Sequence, residues 1–298
     1  MTAIHTLTQR AMVLNLRIGY WQGNRLDKAA SAEVVAAKGA KADAARVNKS
    51  LIPKEALAPI KAAMNAIRAH FYEKTMPWRD NGDRLITRLL YLDFVPEHEK
   101  LVSAFREEVE KFLTHTYPSA REQAGFHLGT LFDPHEYPQP SELRRKFYVD
   151  LDIDAITTAG DFRVELDDKY VEQIKNQMEA AATRRVNVAM QDVWRRLAEI
   201  GDLLFQVVFH ERMADPEAVF RDSTVENVAE LIDLIPGLNV LDDPNIEQIR
   251  RMVDGKLTGL NAKDIRKDPA HRAELATEAE KVLDVMKGFM SAFGNGEA

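Results

Sequence analysis

The chain has 298 residues, of which 45% are hydrophobic and 29% charged, and its formal net charge is -7. These proportions are ordinary for a folded protein and exclude a wholly disordered chain. The absence of cysteine excludes disulfide frameworks, thiolate zinc sites, iron–sulfur clusters and cysteine nucleophiles. There is neither an apolar run of about 18 residues nor a secretory leader pattern, so we expect no membrane partner and a cytoplasmic location.

The charge is distributed unevenly along the chain. Residues 1–90 carry 15 basic and 7 acidic side chains, a net charge of +8, whereas residues 91–298 carry 25 basic and 40 acidic side chains, a net charge of -15. Such asymmetry suggests a polyanionic partner for the basic part. The alternative, of nearly equal weight, is that the two charged parts attract each other within a subunit or between subunits.

The first third alternates between periodic and irregular segments. Residues 12–20 alternate apolar and polar side chains, which predicts a strand. Residues 25–50 contain almost no large apolar side chain, so this stretch is expected to bury little. Pro53 and the helical spacing that follows predict a helix over 53–72, and residues 75–82 break it as a loop.

The middle of the chain predicts two more helices and a small sheet. The helices are expected over 97–116 and from Pro118 to about Phe132, followed by a proline-rich connection. Residues 146–153 and 162–166 alternate in the strand pattern. We therefore expect a sheet made of these two strands and the strand at 12–20.

The strongest periodic signal runs from Val171 to Val207, where apolar residues recur every three or four positions. A helix of about 45 residues would be on the order of 65 Å long. It is expected to bend near Gly201 or to pack as a helical hairpin or coiled coil, and packing within one subunit and between subunits remain equal alternatives. Further helices are predicted at 224–234, 243–256 and 269–292.

These elements predict a fold class of α+β, predominantly helical, with a small antiparallel sheet and long helices. The charge and the periodicity together divide the chain into a basic α+β region over residues 1–166 and an acidic, all-helical region over residues 167–298. The long helix makes a homo-oligomer the expected assembly.

The search for catalytic motifs is mostly negative. The sequence has no phosphate-cradling glycine loop, dinucleotide fingerprint, nucleophile elbow or His-Glu-x-x-His pair. Asp150, Asp152 and Asp154 alternate along a predicted strand, so a metal-dependent nuclease site on that face is an outside alternative to a solvated strand edge. We expect a non-enzymatic protein with no cofactor and no metal.

The positive signal is the combination of cations and aromatic side chains in the first third. Single-stranded nucleic acids are bound by cations on the phosphates and by flat side chains on the unstacked bases. Trp21 and Trp78 could equally be core residues, because tryptophan is usually mostly buried. The predicted nucleic-acid-binding residues are Arg17, Trp21, Arg25, Lys28, Lys38, Lys41, Arg46, Lys49, Trp78 and Arg79.

Several local motifs resemble those of a group of phage-encoded proteins. These are the Lys49–Leu57 segment, the Thr-Met-Pro-Trp-Arg-Asp-Asn-Gly-Asp-Arg run at 75–84, the Tyr137-Pro138 pair and the Phe-Arg-Val sequence at 162–164. Met76 stands where leucine is usual in the group. The resemblance covers roughly residues 12–200, and among characterised proteins it is to the Drc-like single-stranded-DNA-binding RNA polymerase cofactors of lytic Pseudomonas podoviruses.

This resemblance implies a non-enzymatic protein of the host cell cytoplasm that coats single-stranded DNA and supports viral transcription or replication. A phage RNA polymerase is then a further expected partner. No binding residue carries over from the group, because no binding motif matches position by position. The alternative hypothesis is a structural or adaptor protein that assembles through its long helix with another phage or host protein.

Overall fold

The computed structural model describes residues 3–213, 222–257 and 268–294. Among the described helices, none is long and apolar enough to cross a membrane. The strands are β1 (Ala11–Gly19), β2 (Asn24–Asp27), β3 (Val47–Ser50), β4 (Met76–Pro77), β5 (Arg84–Thr87) and β6 (Tyr148–Asp154). The helices are α1 (Ala3–Arg10), α2 (Lys28–Ala37), α3 (Ala58–Lys74), α4 (Arg88–Lys111), α5 (Tyr117–Glu122), α6 (Ala124–Leu128), α7 (Pro140–Arg144), α8 (Asp168–Met213), α9 (Asp222–Leu238), α10 (Pro244–Leu257) and α11 (Pro269–Gly294).

The predicted fold class is confirmed, because long helices dominate and the antiparallel sheet is small. The sheet order is β4-β5-β1-β6, and a separate two-stranded ribbon pairs β2 with β3. The strand predicted at 162–166 is wrong, since no strand is formed there and β5 occupies the edge of β1 opposite β6. With both edges of β1 already paired, the alternating segment has no place beside it.

The chain divides into two compact units that alternate along the sequence. Unit 1 comprises residues 1–15, 74–93 and 153–298, and unit 2 comprises residues 16–73 and 94–152. The boundary predicted between residues 166 and 167 lies inside the third segment of unit 1.

Unit 1 is built around α8. This single helix covers the predicted stretch, and it packs against α9 and α11, while α10 contacts both of those helices. Gly201 lies at the contact, because a Cβ there would come within 3.3 Å of the Met286 side chain. The side chains of Leu204 and Val207, which belong to the predicted apolar repeat, lie outside the described residues. The buried part of the repeat is used inside this unit.

Unit 2 has its own apolar core, made where α3 packs near α4 and the turns that follow it. The predicted helices at 53–72 and 97–116 are both present, and α4 begins earlier than expected, at Arg88. Gly19 is required at the end of β1, because a Cβ there would lie 2.1 Å from the Tyr148 ring. The core residues include Leu51, Ile52, Leu57, Ile60, Met64, Ile67, Phe105, Val109, Phe112, Leu113, Tyr117 and Phe147.

Candidate nucleic-acid interface

A short arm, defined here as residues 24–50, leaves the core of unit 2 and returns to it. Its base is the antiparallel ribbon, with Asn24 opposite Ser50 and Asp27 opposite Val47. The Asp27 carboxylate caps α2 by accepting a hydrogen bond from the Ala30 amide at 2.9 Å, as N-cap residues do. The Val47 amide in turn donates to the Ser31 hydroxyl at 2.9 Å, which ties α2 to β3.

The outer part of the arm, residues 28–46, is cationic and has no buried side chain. Helix α2 has no buried residue, which agrees with the prediction that this stretch of low apolar content buries little. Lys28, Lys38, Lys41 and Arg46 are all exposed. Within the part of the chain that the structure describes, none of these four makes an ion pair. Their charges are therefore available to a partner.

Lys49, in contrast, is buried at the base of the arm. Its ammonium lies 2.7 Å from the Glu136 carboxylate and 3.1 Å from that of Asp27, and it donates to the Leu131 carbonyl at 2.7 Å. The hydrogen bond to Glu136 raises the pKa of Lys49, against the opposing effect of burial. Lys49 therefore joins the arm to the 131–136 segment, and we exclude it from the candidate interface.

Two of the predicted arginines are also paired with carboxylates. Arg17 contacts Asp150 at 2.6 Å and Asp152 at 2.9 Å, and Arg25 lies 3.3 Å from Glu136. The Arg17 contacts neutralise two of the three aspartates considered for a nuclease site. Among the described residues, no group of three or more acidic, histidine or cysteine side chains is arranged to hold a metal ion.

Trp21 lies in the core of unit 2. It is 8% exposed, and its ring packs edge-on against Tyr117, with 5.6 Å between the ring centroids, and also against Phe112. Its indole is occupied by core contacts, so we exclude Trp21 as a base-stacking residue. An aromatic side chain that the sequence analysis did not select, Phe126 on α6, is 97% exposed in the same unit.

Trp78 and Arg79 lie in unit 1 and line a groove of about 460 Å³ between residues 77–81 and α8. Trp78 is 3% exposed, and the guanidinium of Arg185 lies 6.0 Å from its ring centroid. Arg184 also lines this groove, which we call the arginine groove.

Sequence analysis missed Phe126, Arg184 and Arg185 for different reasons. Phe126 stands in a segment with no distinctive pattern, and only its exposure marks it. Arg184 and Arg185 are adjacent cations on a long helix, a pattern typical of a solvated helix face. Their meaning depends on the 77–81 loop, which lies about a hundred residues earlier in the chain.

Comparison of the chain with models of known protein families, with the curated proteins and with the solved structures finds no match.

Proposed function

We propose that this protein is a non-enzymatic single-stranded-DNA-binding protein and that the arm makes its phosphate contacts. The observation that carries the proposal is the set of four exposed, unpaired cations on the outer arm, Lys28, Lys38, Lys41 and Arg46, within the described residues. Because helix α2 has no buried side chain, this segment contributes little to the core. Its exposed positive charges can instead contact the phosphates of a polyanion.

The structure of the arm supports presentation of these cations at defined positions. The ribbon and the Asp27 cap order the arm internally, and the contacts of Lys49 with Glu136 and Leu131 attach its base to the rest of unit 2. The cations are therefore attached to a folded base, which reduces the conformational entropy lost when a strand binds. Glu33 and Asp43 are the only acidic side chains on the outer arm, so its net charge stays positive.

Phe126 supports a preference for single strands over duplex. Its almost fully exposed ring can stack on an unpaired base, an interaction that a base pair inside a duplex does not offer. The phosphate contacts carry no sequence information, so we expect little sequence preference. The acidic remainder of the chain repels DNA elsewhere and restricts binding to the cationic surface.

The proposed biological setting follows from the motif resemblance. A phage protein that coats single-stranded DNA would act in viral transcription or replication, with a phage RNA polymerase as a second partner. The segments at 49–57 and 75–84 that carry the resemblance lie at the base of the arm and at the arginine groove.

The test compares matched single-stranded and duplex oligonucleotides by fluorescence anisotropy at several salt concentrations. Four neutralised phosphates predict a log–log salt slope of about -3 on single strands. Changing Lys28, Lys38, Lys41 and Arg46 together to Gln should weaken binding on the order of a hundredfold at about 50 mM salt and flatten the slope.

A charge-matched control separates the arm from general electrostatics. Lys54, Arg68, Arg106 and Lys146 are exposed in unit 2 outside the arm, and changing all four to Gln removes the same charge. This control should retain most of the affinity. Equal loss in both variants, equal affinity for duplex, or no binding at low salt contradicts the proposal.

A second candidate function, a structural or adaptor protein that assembles through its long helix with another protein, is favoured by the beginning of α8. Val171, Ile174 and Met178 continue the apolar repeat but are only partly buried, whereas Val193, Leu197 and Ile200 are buried within unit 1.

The predicted homo-oligomer, in which this helix packs between copies of the chain, is tested by light scattering. Changing Ile174 and Met178 to Glu should give a smaller species, while Gln173→Glu with Gln177→Glu, on exposed positions of the same helix, should not. A wild-type monomer at micromolar concentration excludes the homo-oligomer.

A further inference from the structure

The arginine groove brings together three guanidinium groups from two distant parts of the chain. Arg79 comes from the loop between β4 and β5, and Arg184 and Arg185 come from α8. All of these belong to unit 1. Like charges gathered around one concave surface repel each other, so an anion bound between them would relieve that repulsion.

The loop side of the groove is held by buried Asp83. Its carboxylate accepts a hydrogen bond from the Asn15 amide at 2.9 Å and from the Arg79 guanidinium at 3.0 Å. Burial opposes ionisation of Asp83, but its hydrogen bonds from Asn15, Asn81 and Arg79 prevail and lower its pKa. Asp83 thus stays ionised and orients Arg79, and its negative charge also acts on Arg185.

The helix side is oriented by Trp78. Its ring lies beneath Arg185 at cation–π distance, which fixes a side chain that would otherwise have many rotamers. Burial lowers the pKa of Arg185, and repulsion from Arg79 and Arg184 adds to this effect. Among the described residues, neither Arg184 nor Arg185 has a carboxylate within ion-pair distance. Two of the three cations of the groove are therefore not ion-paired, although the negative charge of Asp83 still acts on Arg185.

The chemistry of the lining favours a phosphate group. Planar guanidinium groups donate paired hydrogen bonds to phosphate oxygens, and a phosphate monoester offers enough oxygens for more than one arginine. The volume of about 460 Å³ falls within the range of small-molecule sites and is larger than a phosphate ion requires. Pro77 and Val188 add apolar surface beside the cations, whereas exposed Asp80 adds one carboxylate that an anion must avoid.

We propose that the arginine groove is a binding site for the phosphate group of a phosphate monoester of nucleotide size. Arg184 and Arg185 bind the phosphate and Arg79 completes the cationic wall. Free mononucleotides and the 5′-phosphorylated end of a single strand present this same group. The site lies in unit 1 and uses no residue of the arm, so it goes beyond the proposed DNA-binding function.

Isothermal titration calorimetry with inorganic phosphate and with a nucleoside 5′-monophosphate tests the site directly. The wild-type protein should bind the monophosphate saturably, and Arg184→Gln with Arg185→Gln should weaken binding at least tenfold. Lys169→Gln with Lys175→Gln removes the same charge from the same helix and should leave binding unchanged. Val188→Glu keeps every arginine, places a carboxylate in the groove at a half-exposed position, and should also abolish binding.

The source of the phosphate is distinguished by oligonucleotides that differ only at the 5′ end. Tighter binding of the phosphorylated oligonucleotide, lost in the arginine double variant, assigns the site to chain ends, and no such gain assigns it to free mononucleotides. No saturable binding of monophosphate or phosphorylated end, or equal binding by wild type and both groove variants, overturns the proposal. The four-glutamine arm variant should keep its phosphate affinity, so failure of the DNA-binding proposal is seen separately.

Discussion

The base and the outer part of the arm carry cations of the same kinds in opposite environments. At the base, Lys49 is buried between two carboxylates and a carbonyl. On the outer part, Lys28, Lys38, Lys41 and Arg46 are exposed and unpaired among the described residues. The basic residues of one run therefore differ in role. A buried, ion-paired cation stabilises the fold, whereas an exposed, unpaired cation can bind a partner.

The largest effect on stability is expected from Lys49→Gln. Removing this ammonium leaves the partly buried Asp27 without its ion-pair partner and leaves Glu136 with only the more distant Arg25 as a counter-charge. Breaking a buried ion pair in this way costs on the order of 3 kcal/mol of the free energy of unfolding. Chemical denaturation at neutral pH measures the loss, and Lys54→Gln, an exposed cation a few residues later, is the control. Equal stability of the two variants would mean that Lys49 does not anchor the arm.

The pH dependence of the same site sharpens this prediction. The pKa of Lys49 is raised above its ordinary value of 10.5, so the folded state holds this proton more tightly than the unfolded state. Its stabilising contribution is complete below pH 10.5 and is lost as the pH rises through the raised pKa. Between pH 10 and the pH at which the protein unfolds, the free energy of unfolding of the wild-type protein should therefore decrease more than that of Lys49→Gln.

Phe126→Ala extends the comparison from charge to stacking. Loss of one base–aromatic contact costs about 1–3 kcal/mol, so single-stranded DNA affinity should fall about tenfold at constant salt slope. Duplex affinity should not change. Tyr170→Ala removes an aromatic ring that is 55% exposed in unit 1 and serves as the control in the same anisotropy assay. A similar loss in both variants would show that Phe126 has no special role.

His98 in unit 2 offers a buried ionisable group without the partners that Lys49 has. It is 6% exposed and stacks on Phe94, and its Nδ1 has no hydrogen-bond partner among the described residues. Burial lowers the pKa of His98, and the nearby His70 adds to this effect. The neutral ring is thus favoured in the folded state.

The sign of the His98 effect is opposite to that of Lys49. As the pH falls below 6.5, the unfolded state takes up the proton first, so the free energy of unfolding decreases until the lowered pKa is passed. The melting temperature of wild-type protein should fall more between pH 7 and pH 5 than that of His98→Leu. Parallel curves for the two proteins would mean that His98 titrates alike in both states.

The smallest expected effect is on the stability of the four-glutamine arm variant. Exposed cations without ion pairs contribute a few tenths of a kcal/mol each at most, so its melting temperature should stay close to that of wild type. Differential scanning calorimetry measures it alongside Lys49→Gln. A drop as large as that of Lys49→Gln would assign the outer cations to intramolecular attraction and favour the adaptor function.

By itself, the sequence determined the elements whose patterns are long and regular. The period-two run at β1, the helices α3 and α8, and the low apolar content of the arm are all local properties, since side-chain spacing decides which face can be buried. The lack of large apolar residues in 25–50 predicted that this stretch buries little, and helix α2, which the sequence did not predict, has no buried residue. The strands that pair with β1 could not be predicted in this way. Strand β5 is short, whereas the segment at 162–166, which forms no strand, alternates more clearly.

Only the tertiary structure decided the roles of the individual cations and tryptophans. Lys49 is buried, unlike Lys41, and lies beside Glu136, which is distant in the chain. Trp21 is buried because its ring packs against Tyr117, which is also distant in the chain. The arginine groove exists because α8 packs next to the loop that contains Trp78. Burial and charge pairing are properties of residues brought together from remote positions, and no local pattern of side chains contains them.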